Sequence, residues 1–262
     1  MPSLLSGSGT WMGITSTEED RLDKLQDLFW RVMLKVPESC PRIALLAETR
    51  MMDMKHRIWQ EKLLLLRRIK NQNTETLSRK IYEQQKANQW PGLCKEVTEI
   101  CRQVEISDIN DSDVPPNVIK KAVFNHHYVE LKAKVAKSKK MSEHKDDDFT
   151  EVQEYMKDKS IENCRMSFKI RCEMVQDIKG NFKDKFRRKG GEEALSCKVC
   201  GDIEYQSHCL VCPQWQDIRS GLDMDKLSDL VTFFQRLLIE RNKPGDQARK
   251  ELHTKTPAQD DS

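Results

Sequence analysis

Glycine and proline are scarce in this chain, ten and nine residues of 262. That scarcity argues against collagen-like, low-complexity and turn-rich β-sandwich architectures. Long apolar runs are missing as well. The longest leucine run, Leu63 to Leu66, falls far short of the ~18 residues a membrane-spanning helix needs. No charged segment followed by an apolar stretch opens the chain, so a secretory leader is not expected. Aromatic residues make up 6%. Trp11, Trp30, Trp59, Trp90 and Trp215 are spaced as single core anchors rather than as a stacking platform for bases. Catalytic signatures are also missing: there is no phosphate-cradling glycine loop, no Gly-x-Ser-x-Gly elbow and no His-Glu-x-x-His. No apolar strand pair presents an Asp-Asp for two-metal phosphoryl chemistry.

What the chain has in quantity is charge. Charged residues are 33% of the sequence, yet 45 basic and 42 acidic side chains leave a net charge of only +3. The charges are segregated. Lys55–Lys80, Lys132–Lys145 and Arg165–Lys189 are basic blocks, while Glu96–Asp113 and Asp146–Asp148 are acidic. Three basic blocks in one chain suit a polyanionic partner, RNA or DNA. Asp146-Asp147-Asp148 reads as a solvated acidic run rather than a cation site.

The composition is helical and the apolar spacing follows a helical period, so the expected fold is mainly α. Residues 1–16 read as a loop. A helical region spans 17–137. Thr17 is expected to cap a first helix bearing Leu22, Leu25, Phe29, Val32 and Met33, and Pro37 ends it. Pro41 to about Lys70 reads as one long or kinked helix. Thr74 opens a shorter one with Leu77, Ile81 and Tyr82, and Trp90-Pro91-Gly92 is a break. Leu93, Val97, Ile100, Cys101 and Val104 mark the next helix, and Val118 to Ala136 another. His126-His127 lies on that last helix. Adjacent helical residues point about 100° apart, so the pair does not make one metal site and suits a core or surface role. Residues 138–159 form a charged, mobile connector. Ser160 caps a basic helix running to about Asp177, and a closing helix spans Met224–Arg241. Residues 160–241 thus hold a basic helix, a cysteine module and that closing helix, and 242–262 are a polar, disordered tail. The amphipathic helices imply an extended helical assembly with a small C-terminal knuckle.

Nine cysteines are an odd number, and their clustering fits a reducing compartment, nucleus or cytoplasm, better than a disulfide framework. The strongest local pattern is Cys197-x2-Cys200-x7-His208-x3-Cys212. Two cysteines two apart aim both thiolates at one ion, and Gly201 permits the tight turn this requires. A His and a Cys from the following turn complete a tetrahedron for Zn2+. Four protein ligands leave no open position, so such a zinc is structural. Cys209, beside His208, is a rival ligand at this stage. Cys94, Cys101, Cys164 and Cys172 fit helix faces that pack in a core.

Several segments together resemble the C-terminal region of non-LTR (LINE-type) retrotransposon reverse transcriptases. Leu4-Leu5, Thr10-Trp11, Glu19-Asp20-Arg21-Leu22 and Phe29-Trp30 resemble the stretch just after the polymerase core. Met54-Lys55-His56-Arg57-Ile58, Glu61-Lys62-Leu63 and Trp90-Pro91-Gly92-Leu93 look like the helical region that follows. Ser160 to Met174 resembles the basic helix before the terminal knuckle, and Cys197, Cys200, His208 and Cys212 with Pro213 and Trp215 resemble the knuckle. The resemblance implies a thumb end, a linker and a zinc knuckle without fingers, palm or endonuclease, which would lie elsewhere in such a polyprotein. It implies no catalysis by this chain and a role in gripping template RNA or target DNA, beside the rest of a reverse transcriptase and with no membrane or small-molecule substrate. The expected contacts are Arg165, Lys169 and Arg171, then Lys183, Lys185, Arg187, Arg188 and Lys189. A helical protein-interaction piece without activity of its own is the alternative.

Overall fold

The structure, a computed structural model, describes residues 7–110, 113–138, 141, 144, 146–175, 178 and 195–242. It is mainly helical. Extended pairing among the described residues is limited to one antiparallel bridge, Ser196 with Ile203. The chain divides into two compact units, Met1–Gln153 and Glu154–Ser262.

In the first unit the helices are α1 (Ser16–Leu34), α2 (Arg42–Thr49), α3 (Met54–Lys70), α4 (Leu77–Ala87), α5 (Leu93–Gln103) and α6 (Pro116–Lys137). α3 is the central element. Leu63 and Leu66 of α3 pack with Tyr82 of α4, Val97, Ile100 and Cys101 of α5, and Ile119 and Val123 of α6. Tyr82, Val97, Ile100, Cys101 and Val123 lie on the stripes expected of their helices, and burying such apolar stripes together is the main drive for the bundle. Lys62 of α3 is buried and ion-paired to Glu96 of α5. The N-terminal segment is more than a loop. Ser8–Thr10 forms a 3-10 turn against α3, and a Cβ on Gly9 would come within 2.9 Å of the Glu61 carbonyl oxygen. Only glycine allows that approach.

Several expectations are corrected here. The stretch from Pro41 to Lys70 is two helices, because Arg50 turns the backbone left-handed at φ 53° and Asp53 starts a new helix as its N-cap. α1 starts at Ser16, capped by Thr15 in a reciprocal box with Glu18 rather than by Thr17. Its expected core face is turned outward: Leu25, Phe29, Val32 and Met33 are exposed, while Asp23, Gln26 and Asp27 are buried. The cause is polar demand at the neighbouring helix ends. Asp23 accepts the Met54 N–H at 2.9 Å and pairs with Arg42, and the Gln26 amide donates to the Met52 carbonyl at 2.9 Å. These bonds pair the Met54 N–H, which the start of α3 cannot satisfy internally, and the Met52 carbonyl just before the helix. Leu77, Ile81 and Trp90 are likewise exposed, so Trp90 is no core anchor. Within the expected connector, Met141 and Phe149 are buried, so that stretch contributes anchors to the first unit.

In the second unit the helices are α7 (Ile161–Arg171), α8 (Gln206–Val211), α9 (Gln216–Arg219) and α10 (Leu227–Arg241). Ser160 caps α7 by accepting the Asn163 N–H at 3.3 Å. α7 is shorter than expected and ends at Arg171. Its Ile170 joins Val231, Phe233, Phe234 and Leu237 of α10 in one core with Cys197, Cys209, Cys212 and Trp215. The cysteine module therefore shares an apolar core with both flanking helices. The expected tail and the Gly180–Gly191 loop lie outside the described residues, apart from Asn242.

Candidate metal centre

Cys197 and Cys200 stand on a tight turn. The Gly201 N–H donates to the Cys197 carbonyl at 2.9 Å, and Gly201 itself has φ 82°. The Cys197 N–H donates to the Asp202 carbonyl at 2.7 Å and the Glu204 N–H to the Leu195 carbonyl at 2.9 Å, closing a minimal hairpin. α8 follows directly and carries His208, while Cys212 is its C-cap residue. The α8 end is held by Arg219, whose guanidinium donates to the carbonyls of Cys212 at 2.8 Å and Cys209 at 3.3 Å.

These elements bring four donors together. Cys197 Sγ and Cys212 Sγ are 3.8 Å apart, Cys200 Sγ and Cys212 Sγ 4.0 Å, and Cys200 Sγ and His208 Nε2 3.4 Å. All four ligand atoms lie within 4.8 Å of one another. A tetrahedral zinc with Zn–S bonds of about 2.3 Å separates its sulfurs by about 3.8 Å. The spacing is thus that of a tetrahedral cation, and far from the ~2.05 Å of a disulfide. The residues fit a metal ion.

The electrostatics fit as well. Burial works against ionisation at Cys197. The N–H groups of Cys200 and Val199 together with the side chains of His208 and Cys200 outweigh it, bringing its pKa down to about 6. Cys212 is pushed up to about 11, first by burial and then by its neighbouring sulfurs. One thiolate is accommodated, and a second beside it meets like-charge repulsion that a cation removes.

Cys209, the rival ligand, points elsewhere. It is fully buried in the apolar core, and burial pushes its thiol up to about 12. Its sulfur lies 4.0 Å from Arg241 Nη2. Arg241 also pairs with Glu204 and lies 5.1 Å over the Trp215 ring, tying α10 to the module.

Of the expected nucleic-acid contacts, Arg165, Lys169 and Arg171 lie on α7 and are half-buried. Arg165 pairs with Glu162 at 2.5 Å. Lys183, Lys185, Arg187, Arg188 and Lys189 lie outside the described residues. Gln206, at the start of α8, donates to the Ile170 carbonyl at 2.8 Å. That bond fastens the module to the last turn of α7, where Lys169 and Arg171 stand.

A second group of donors in the first unit escaped the sequence reading. His56 of α3 lies between His126 and His127 of α6, with ring centroids 5.2 and 5.0 Å away. Asp53 Oδ1 is 2.5 Å from His56 Nδ1, and Asp53 Oδ2 is 3.7 Å from His127 Nδ1. Burial alone would raise the Asp53 pKa, but His127 and His56 hold it well below the usual carboxylate range. The two adjacent histidines diverge, as the helical period requires. What the sequence could not supply is His56, 70 positions upstream of His126.

Comparison with family models, curated proteins and solved structures returns no match for this chain. Among the described residues no helix is long and apolar enough to cross a membrane.

Proposed function

We propose that this chain is a non-catalytic nucleic-acid-binding module in which Zn2+ fixes a knuckle beside a basic helix, as at the C-terminal end of non-LTR reverse transcriptases. The observation that carries this reading is the set of Cys197, Cys200, His208 and Cys212 donors at tetrahedral spacing, fastened through Gln206 to the basic end of α7. Thiolate and imidazole donors of this kind favour zinc over hard cations. Four protein ligands make the ion structural, and Lys169 and Arg171 would then meet phosphates from a fixed platform. The flanking basic segment 183–189 adds charge in the same unit.

Binding of the full chain to labelled RNA and DNA across a salt series tests this reading. Log affinity should fall linearly with log salt, with a slope of about −0.9 per phosphate on duplex DNA. Joint reversal of Arg165, Lys169 and Arg171 to Glu should lower affinity at least tenfold and flatten the slope. Unchanged affinity in that variant, or no binding at low salt, overturns the reading.

One observation favours a protein-interaction role instead: the outward apolar face of α1, with Leu28 57% and Val32 66% exposed. The occupant this reading names is a second copy of the chain.

A further inference from the structure

We propose that the first unit holds a second metal centre, in which His56, His126 and Glu130 bind a divalent transition cation of the zinc class. His56 Nε2 and His126 Nδ1 are 3.0 Å apart, and His126 Nδ1 is 3.9 Å from Glu130 Oε1. The three ligand atoms lie within 4.8 Å of one another. With metal–nitrogen bonds of about 2.0–2.1 Å, ligand atoms on one ion sit roughly 2.9–3.4 Å apart, the lower figure octahedral and the upper tetrahedral. The histidine pair already lies in that range and Glu130 stands about 0.5 Å beyond it, so a small side-chain movement of Glu130 admits an ion.

The surroundings are those of a ligand set. Asp53 accepts from His56 Nδ1, which leaves the Nε2 lone pair directed at His126. A carboxylate behind a metal-binding histidine fixes its tautomer and raises its basicity. Asp53 is itself fixed, because it accepts the His56 backbone N–H at 3.0 Å as the N-cap of α3. His126 and Glu130 are four positions apart on α6, so the helix presents both on one face. His56 is fully buried, whereas the side chains of His126 and Glu130 are 26% and 34% exposed. The site thus has a rigid floor and an open, water-facing side, the pattern of a three-ligand centre with free coordination positions.

The neighbouring His127 adds an unsatisfied polar group to the same interior. His127 is buried, and neither ring nitrogen has a hydrogen-bond partner among the described residues; Asp53 Oδ2 lies 3.7 Å from its Nδ1. A buried imidazole so placed is costly. At present Lys55 faces Glu130 at 3.7 Å. Lys134 lies 3.6 Å from the other Glu130 oxygen, so the Lys55 ammonium, on Oε1 beside His126, is the one an incoming metal would displace first.

Titration of the full chain with Co2+ reads the two centres separately. The knuckle gives intense thiolate-to-cobalt charge-transfer bands, and a histidine–carboxylate centre gives only weak ligand-field bands. The expected result is a second equivalent without charge-transfer intensity, retained in Cys197→Ser. Its affinity should fall at least tenfold in His126→Ala and in Glu130→Gln, two positions on the exposed side of α6. Removing the competing ammonium with Lys55→Met should tighten it. Binding of a single equivalent through thiolates overturns the proposal, as does a second equivalent unchanged in both α6 variants. The first outcome supports the knuckle and the second leaves it untouched, so this proposal fails independently of the nucleic-acid reading.

Discussion

Cys197 and Cys212 are 15 positions apart in the chain, whereas His56 and His126 are 70 apart. Loop-closure entropy makes the longer separation dearer by only about 1.4 kcal/mol. That is small beside the ~10 kcal/mol or more that structural zinc supplies in small modules. Chain distance therefore does not separate the two clusters; the difference lies in what organises each one. In the knuckle, a hairpin turn and six residues of α8 hold His208 and three thiols that repel one another when ionised, so the local fold is built for a cation. In the histidine cluster, the apolar packing of α3 against α6 sets the donors in place, and the polar group is a by-product of that docking. One centre should fail without metal, and the other should persist.

Metal removal tests this contrast most severely. Chelation, or Cys197→Ser, should abolish the hydrogen-exchange protection of α8 and the Ser196–Ile203 hairpin. α3, α5 and α6 should stay protected, because Leu63, Val97 and Ile119 bury without help from any ion. Cys209→Ala supplies the internal control. Its sulfur packs in the core, so metal content should be kept while stability falls by about 1 kcal/mol. Equal loss of protection in both units on chelation would erase the distinction.

Asp53 is the point at which the first unit should break in its own way. Asp53→Ala removes an N-cap and a buried carboxylate that accepts from His56 and lies 3.7 Å from His127, and should cost about 3 kcal/mol in urea denaturation at pH 7. The sign of the pH dependence follows from its lowered pKa. The stabilisation is complete above the ordinary carboxylate value of about 3.9 and is lost as pH falls through the lower folded-state value. The deficit of the variant should hold from pH 7 to about pH 4 and narrow only in stronger acid. A deficit that vanished between pH 7 and pH 5 would mean that histidine protonation, not the carboxylate, controls the cluster.

How much of this was legible in the sequence follows the same division. The gathering of Cys197, Cys200, His208 and Cys212 was readable because its signal is local: ligand spacing and Gly201 encode the turn directly. α5 was readable because every apolar position from Leu93 to Val104 serves one core. The histidine cluster was not readable, since no periodicity in α3 or α6 announces which faces meet. The break at Arg50–Asp53 was missed because the apolar stripe continues across it, and only the left-handed φ at Arg50 and the Asp53 cap interrupt the helix. α1 was read inside out for a related reason. Apolar spacing marks a face but does not say what the neighbouring helix ends require, and those ends required Asp23, Gln26 and Asp27.

That inversion gives the smallest expected effect and the sharpest test of the α1 reading. If the apolar face of α1 meets only water in the monomer, Leu28→Gln with Val32→Gln should leave monomer stability within about 0.5 kcal/mol, because exposed substitutions remove no packing. The same double variant should weaken any concentration-dependent self-association seen by sedimentation, since Leu28, Phe29 and Val32 are the apolar surface a second copy would cover. Asp23→Ala, on the opposite face, should instead cost about 2 kcal/mol or more, because it strands the Met54 N–H and leaves Arg42 with Asp27 alone. If the glutamine pair proved the more damaging to the monomer, α1 would have to dock through its leucines, and the polar face now turned inward would belong to solvent.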